Sequence, residues 1–218
     1  MKKNTKKIVT AAGIAAGTAA VASLYAYVTI KALIDTALDR EMPKVMEKAD
    51  KRISGEKSSD EFTNRMESAS ESLAVQPNET VEIIAHDGEK LVGHYFPCEK
   101  PERVIIAFHG WRSSWHRDFG MISDFWYKNN CSVLYVEQRG QNNSSGEYMG
   151  FGLTERFDCL DWLNWEIERC GSDIPVYLAG VSMGATTVLM AAGLQLPPNV
   201  HGIMADCGFT SANAIWEH

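Results

Sequence analysis

The run VYLAGVSMGATTVLMAAG, residues 176–193, leaves little choice of local structure. An apolar, strand-length segment ends near Gly180, and an Ala-rich, helix-length segment starts at Met183. The chain must turn within Gly180-Val181-Ser182-Met183-Gly184. A G-x-S-x-G between a strand and a helix predicts a sharp turn that lifts the serine above the strand end. Both glycines fit that geometry, because a side chain at 180 or 184 would collide where strand and helix approach closely. Ser182 would also stand at a helix start, where unpaired backbone N–H groups favour an anion. The plain alternative is a glycine-rich turn with a surface serine. The flanking strand and helix patterns favour a nucleophile.

The rest of the chain from residue 79 has a matching rhythm. Strands are expected over 80–86 and 91–96, with Asp87-Gly88 as the hairpin turn between them. Further strands are expected over 103–108, 132–136, 176–179 and 202–205. Helices are expected over 117–128, 154–170 and 183–194, and another begins at Ser211. Apolar strands alternating with helices imply a mostly parallel sheet covered on both faces, an α/β fold. The leading hairpin implies an antiparallel edge.

The preceding part divides into an N-terminal segment, 1–30, and a helical connector, 31–78. Lys2, Lys3, Lys6 and Lys7 precede 23 uncharged residues, Ile8 to Ile30, long enough for a membrane-crossing helix. Basic residues on the amino side predict a cytoplasmic start and a body outside the cell membrane. This single-pass anchor is the favoured reading. A cleaved signal, with Ala20-Val21-Ala22 near the cut, gives a secreted protein, and a helix of a cytoplasmic protein is the third possibility. In the connector, Asp60 is expected to cap a helix that ends before Gln76-Pro77. Pro43 is expected to bend or restart the helix before it.

Net charge is −7, and from residue 31 onward 17 basic residues face 28 acidic ones, a poor match for nucleic acid. Five cysteines without a CxxC support neither a zinc knuckle nor a redox pair. Cys131, Cys159 and Cys207 are expected as buried small hydrophobes. No GxGxxG follows a strand and no phosphate-loop pattern occurs, so no cofactor is expected. His86, His94, His109 and His116 show no metal-ligand pattern, so no metal is expected.

On the elbow and the loops around it, the chain resembles the α/β-hydrolase superfamily. It is most similar to bacterial serine hydrolases related to esterases, lysophospholipases and serine aminopeptidases. The resemblance covers about 79–216. It implies that His109-Gly110-Trp111-Arg112-Ser113-Ser114 supplies an oxyanion-hole amide from Trp111, paired with the amide of Met183. Two donors aimed at a developing alkoxide are what acyl transfer needs. His109 would shape the loop. The segment 137–146 resembles the family's arginine-glycine, serine-glycine loop, with Glu137 in place of Asp and Gln141-Asn142 in place of His-Gly. Arg139 is expected as a structural anchor. Thr154 is expected to cap the following helix, while Glu155 and Asp158 serve capping and loop anchoring.

The resemblance also exposes what is not found. A serine nucleophile needs a base and an acid to orient it, in the chain order Ser, acid, His. His201 precedes its strand and belongs at the wrong end of the sheet, and His218 does not match the family's position. No catalytic His is present. Asp206 is a weak candidate acid, with loop fixing the favoured role. The domain at 79–218 is therefore expected to be incomplete at its C-terminus, with the last strands missing. The implied activity is hydrolysis of a carboxylic ester, thioester or amide, on a small acyl ester, lipid or peptide substrate. The alternatives are a catalytically inactive hydrolase-like binding module, or an inactive fragment of an active hydrolase.

Overall fold

The computed structural model describes residues 2–41 and 60–211. Helix α1 spans Lys2–Leu38 and α2 spans Glu61–Ala74. The strands and helices then run β1 Glu79–Ile84, β2 Lys90–Phe96, β3 Arg103–Phe108, α3 Trp115–Lys128 and β4 Cys131–Glu137. They continue as α4 Glu155–Cys170, β5 Val176–Val181, α5 Met183–Ala191 and β6 Val200–Asp206. The expected bend at Pro43, the helix start at Ser211 and His218 lie outside the described residues, save Ser211 itself.

One six-stranded sheet has the order β1-β2-β4-β3-β5-β6. β1 pairs antiparallel with β2, and β2 antiparallel with β4. The β3–β4, β3–β5 and β5–β6 pairs are parallel. This is the predicted mostly parallel sheet with an antiparallel hairpin at its N-terminal edge.

Period-2 alternation splits the central strands between two cores. Val104, Ile106, Phe108, Leu134, Val136 and Leu178 face α4 and α5, where Trp162, Leu163 and Val188 are buried. Ile105, Ala107, Val133, Tyr135 and Ala179 face α3, against Trp115, Phe119 and Trp126. Each buried Val, Leu, Ile or Phe among them contributes roughly 1.5–3 kcal/mol. Because both faces are covered, the central strands read as unbroken apolar runs.

Helix α2 joins the second core through Leu73. It lies so close to α3 that a β-carbon on Gly120 would stand 2.7 Å from the Ala69 carbonyl carbon. Two cap expectations are corrected. Asp60 has the extended backbone of an N-cap, but its side chain makes no cap hydrogen bond. Thr154 is already helical at φ −94° and ψ −41° and makes no cap hydrogen bond either. The Glu155 carboxylate instead takes the Gly150 amide at 2.5 Å and the Gly152 amide at 2.8 Å. All five cysteines are free; Cys131 and Cys159 are buried as expected, whereas Cys207 is exposed beyond the end of β6.

α1 passes residue 30 without a break and ends on the α/β body. Ala37 is buried there, and an isolated bridge joins Asp39 to Tyr148. Within it, Ala20–Leu38 has a mean hydropathy of 1.3 over its best window and is long and apolar enough to cross a membrane.

Candidate functional site

The turn between β5 and α5 is as tight as the sequence demands. Ser182 has φ 52° and ψ −112°, a left-handed backbone that L-residues adopt only under constraint. A β-carbon at position 184 would stand 1.9 Å from the Phe108 carbonyl oxygen, and one at 180 would stand 2.2 Å from the Gly184 oxygen. Those contacts are with backbone and cannot be relieved by a rotamer change. The Ser182 amide donates to the Asp206 carbonyl at 2.8 Å, which ties the turn to the end of β6. Ser182 is half-buried, and among the described residues no group hydrogen-bonds its Oγ.

The loop after β3 abuts this turn. A β-carbon on Gly110 would lie 3.4 Å from Ser182 Cβ. Trp111 follows Gly110, and Met183 opens α5, where first-turn amides have no partner within the helix. Both side chains join one apolar cluster: Met149, Phe151 and Met183 are buried, with Trp111, Leu38 and Phe209 packed on them.

Polar groups hold the loop from beneath. His109 is fully buried, and burial holds its pKa below the ordinary histidine value. Its Nδ1 lies 2.8 Å from the Gly110 carbonyl, while Nε2 accepts from the Gln138 amide at 3.3 Å. A neutral ring with the proton on Nδ1 satisfies both contacts. Gln138 also donates to the His109 carbonyl and accepts from Thr187 Oγ1 at 2.9 Å.

Asp118, which the sequence reading did not single out, accepts the Gly110 amide and the Ser113 hydroxyl, each at 2.6 Å. Its signal was its place one turn into α3, four residues after Ser114, where a carboxylate can reach back to loop amides. Gln141 Oε1 accepts the Arg112 amide at 2.6 Å.

A second anchor lies beside the site. Arg139 pairs with Asp158 through Nε at 2.7 Å and through Nη2, and reaches Asp87 at 2.7 Å. Those hydrogen bonds raise the Arg139 pKa, so the guanidinium stays charged. The Arg139 guanidinium, with the Glu89 amide and residual burial acting in opposite senses, leaves Asp87 below the usual carboxylate range. Donor atoms of His86, Asp158 and Asp161 lie within 4.8 Å of one another, close enough for a cation. They are already engaged: Asp158 by Arg139, and Asp161 by His86 Nδ1 at 2.9 Å.

Glu137 accepts from His94 Nε2 at 2.8 Å, from the Asn143 amide at 2.6 Å and from its side chain at 3.0 Å. Burial alone would push its pKa up, but these partners together hold it below the usual range.

Asp206 is exposed at the end of β6, and its carboxylate accepts the Cys207 thiol at 3.2 Å. Its carbonyl, not its carboxylate, meets the Ser182 turn. His201 is exposed near the start of β6, at the opposite end of the strand from Ser182. A polar cleft of about 540 Å³ is lined by α2 and α3 alone, including Arg65, Ser72 and Asp124, and shares no residue with the Ser182 loops.

No protein-family model matches the chain, and no curated protein matches it. Solved structures do. The esterase Pf2001 of Pyrococcus furiosus is 25% identical over 63% of this chain and 53% of its own, with a TM-score of 0.55. The α/β-hydrolase GrgF of a Penicillium species is 22% identical over 60% of this chain and 45% of its own, at 0.52. DcsB, solved with a substrate analogue, is 18% identical over 65% and 50%, at 0.55. The fold is an α/β-hydrolase fold. The chain spans about half the length of the esterase it matches. At these identities the second and third likenesses speak for the fold alone.

Proposed function

We propose that the chain carries the nucleophile of a serine hydrolase that cleaves a carboxylic ester, thioester or amide through an acyl-Ser182 intermediate. The observation that carries this reading is the strained Ser182 backbone, φ 52°, at a strand-to-helix turn with the Gly110 loop packed against it. In the proposed reaction Ser182 Oγ bonds to the acyl carbon and its proton passes to a general base. The bond to the leaving group breaks, and the departing alcohol, thiol or amine takes up that proton. Water then cleaves the acyl-serine bond and releases the acid. The amides of Trp111 and Met183 would hold the oxygen that becomes negative in between, and losing one such donor typically costs about 3 kcal/mol. The likeness to a named esterase makes esters the leading substrates.

Asp206 serves the turn through its backbone in this reading. A second reading is a non-catalytic binding domain, favoured because no described histidine reaches Ser182 Oγ. A fluorophosphonate probe separates the two. The full-length native protein should label, and Ser182→Ala should abolish labelling. A protein that binds short acyl esters saturably but neither labels nor hydrolyses them would support the second reading.

A further inference from the structure

α1 is laced to the loop that abuts Ser182. Arg112 Nη2 donates to the carbonyls of Thr36 at 3.1 Å and Asp39 at 2.8 Å, and Nη1 to that of Arg40 at 3.4 Å. The last carbonyls of a helix have no partner within it, and a cation satisfies their geometry and their partial charge. The Trp111 indole N–H donates to the Ala37 carbonyl at 3.0 Å. Arg40 answers in the other direction, donating to the carbonyls of Ser144 at 2.6 Å and Asn142 at 2.7 Å. Those residues belong to the loop whose Gln141 takes the Arg112 amide. The three segments close a ring: the last turn of α1 with residues 39 and 40 that follow it, residues 110–113 and residues 141–144.

Arg112 sits at the strained corner of that ring. Its backbone is left-handed at φ 50°, which a residue with a β-carbon holds only when its surroundings fix it. Leu38 completes the apolar cluster that buries Met183 and half-buries Trp111. The two residues whose amides are assigned to the oxyanion therefore rest on a surface that α1 helps to build.

We propose that Arg112 is a positioning residue: it holds the Trp111 amide in place by fixing its loop to the last turn of α1, so that α1 is a wall of the site as well as a tether. This rests on the Ser182 reading. Preorganised donors work only when their support is rigid. Residue 112 touches no reacting atom in this account.

The test uses the full-length native protein in detergent micelles. Wild type, Arg112→Gln, Arg112→Lys and Arg40→Gln are compared for the rate of fluorophosphonate labelling and for kcat and KM on a short acyl ester. Arg112→Gln should slow labelling and kcat by about tenfold or more, with KM changed less than about twofold, as expected when only transition-state contacts are lost. Arg112→Lys cannot span three carbonyls and should recover only part of that loss. For Arg112→Gly, added methylguanidinium should restore labelling in a saturable way, whereas a loss caused by global unfolding of the variant would show no such rescue. Arg40→Gln leaves the Arg112 contacts in place and should give a smaller loss of the same pattern, which keeps the test informative if an Arg112 variant unfolds. Wild-type labelling with unchanged rates in folded Arg112→Gln overturns this inference and leaves the Ser182 reading intact. Absence of wild-type labelling overturns both.

Discussion

Gly184 sets the tolerance of the Ser182 turn, because the Phe108 carbonyl occupies the space a β-carbon would need. Gly184→Ala should cost about 3 kcal/mol or more, since overpacking against fixed backbone exceeds the usual 1–3 kcal/mol. Gly193→Ala, where the nearest contact is an ordinary 3.4 Å, is the control and should shift stability little. Chemical denaturation of both variants checks the contrast. Burial lowers the pKa of His109, so below about 6.5 the unfolded chain takes up a proton that the folded chain refuses. Its contribution is complete above that pH and declines as pH falls through the unfolded value. Stability should therefore drop as pH falls below about 6.5, and His109→Gln should flatten that part of the profile. The requirement for glycine at 180 and 184 was legible in the sequence, because the pattern allowed only one local geometry. The role of Asp118 was not, because it depends on how far α3 sits from the Gly110 loop.

Secondary structure followed the hydrophobic pattern wherever burial was two-sided. The strand at 103–108 is where its apolar run placed it, and β4 and β5 extend the expected runs by one or two residues at their ends. The cap predictions failed for a local reason. At the start of α4, a carboxylate one residue inside the helix reaches two glycine amides, so Thr154 has no N-cap role to fill. Between β4 and α4, the ion group of Arg139 with Asp158 and Asp87 fixes the loop to both the helix and the β1–β2 turn. Asp158 and Arg139 have side chains only 4% and 8% exposed, so removing one partner strands a buried charge. Arg139→Met should cost about 3–5 kcal/mol, and Arg139→Met with Asp158→Leu appreciably less than the sum of the singles. A double-mutant cycle by urea denaturation measures this. Equal, additive losses would mean that the pair is not coupled.

The sheet, its two cores and the Ser182 turn form one body, and α1 adds a surface of a different kind. Leu24, Tyr25, Tyr27 and Leu33 are each more than 60% exposed on a helix that already satisfies its own backbone. The account expects the full-length protein to stay with membranes through alkaline carbonate washing. Replacing Leu24 and Val28 by Glu should release it, because a charge at a helix centre costs roughly 2.5–3.5 kcal/mol on insertion scales. Release of the unaltered protein by carbonate would contradict the anchor. A membrane-length run was readable from hydropathy alone. That its last turn would seat on Trp111 and Arg112 was not, since the carbonyls involved leave no mark in the sequence.

A covalent acyl-Ser182 intermediate can be trapped and weighed directly. The native full-length protein is mixed with an activated short-chain ester, quenched in acid within milliseconds to seconds, digested and analysed by mass spectrometry. The account predicts an acyl group on the peptide that contains Ser182, formed at the rate of leaving-group release and absent from Ser182→Ala. Ester turnover that Ser182→Ala leaves unchanged, or an acyl group on another side chain, would contradict it.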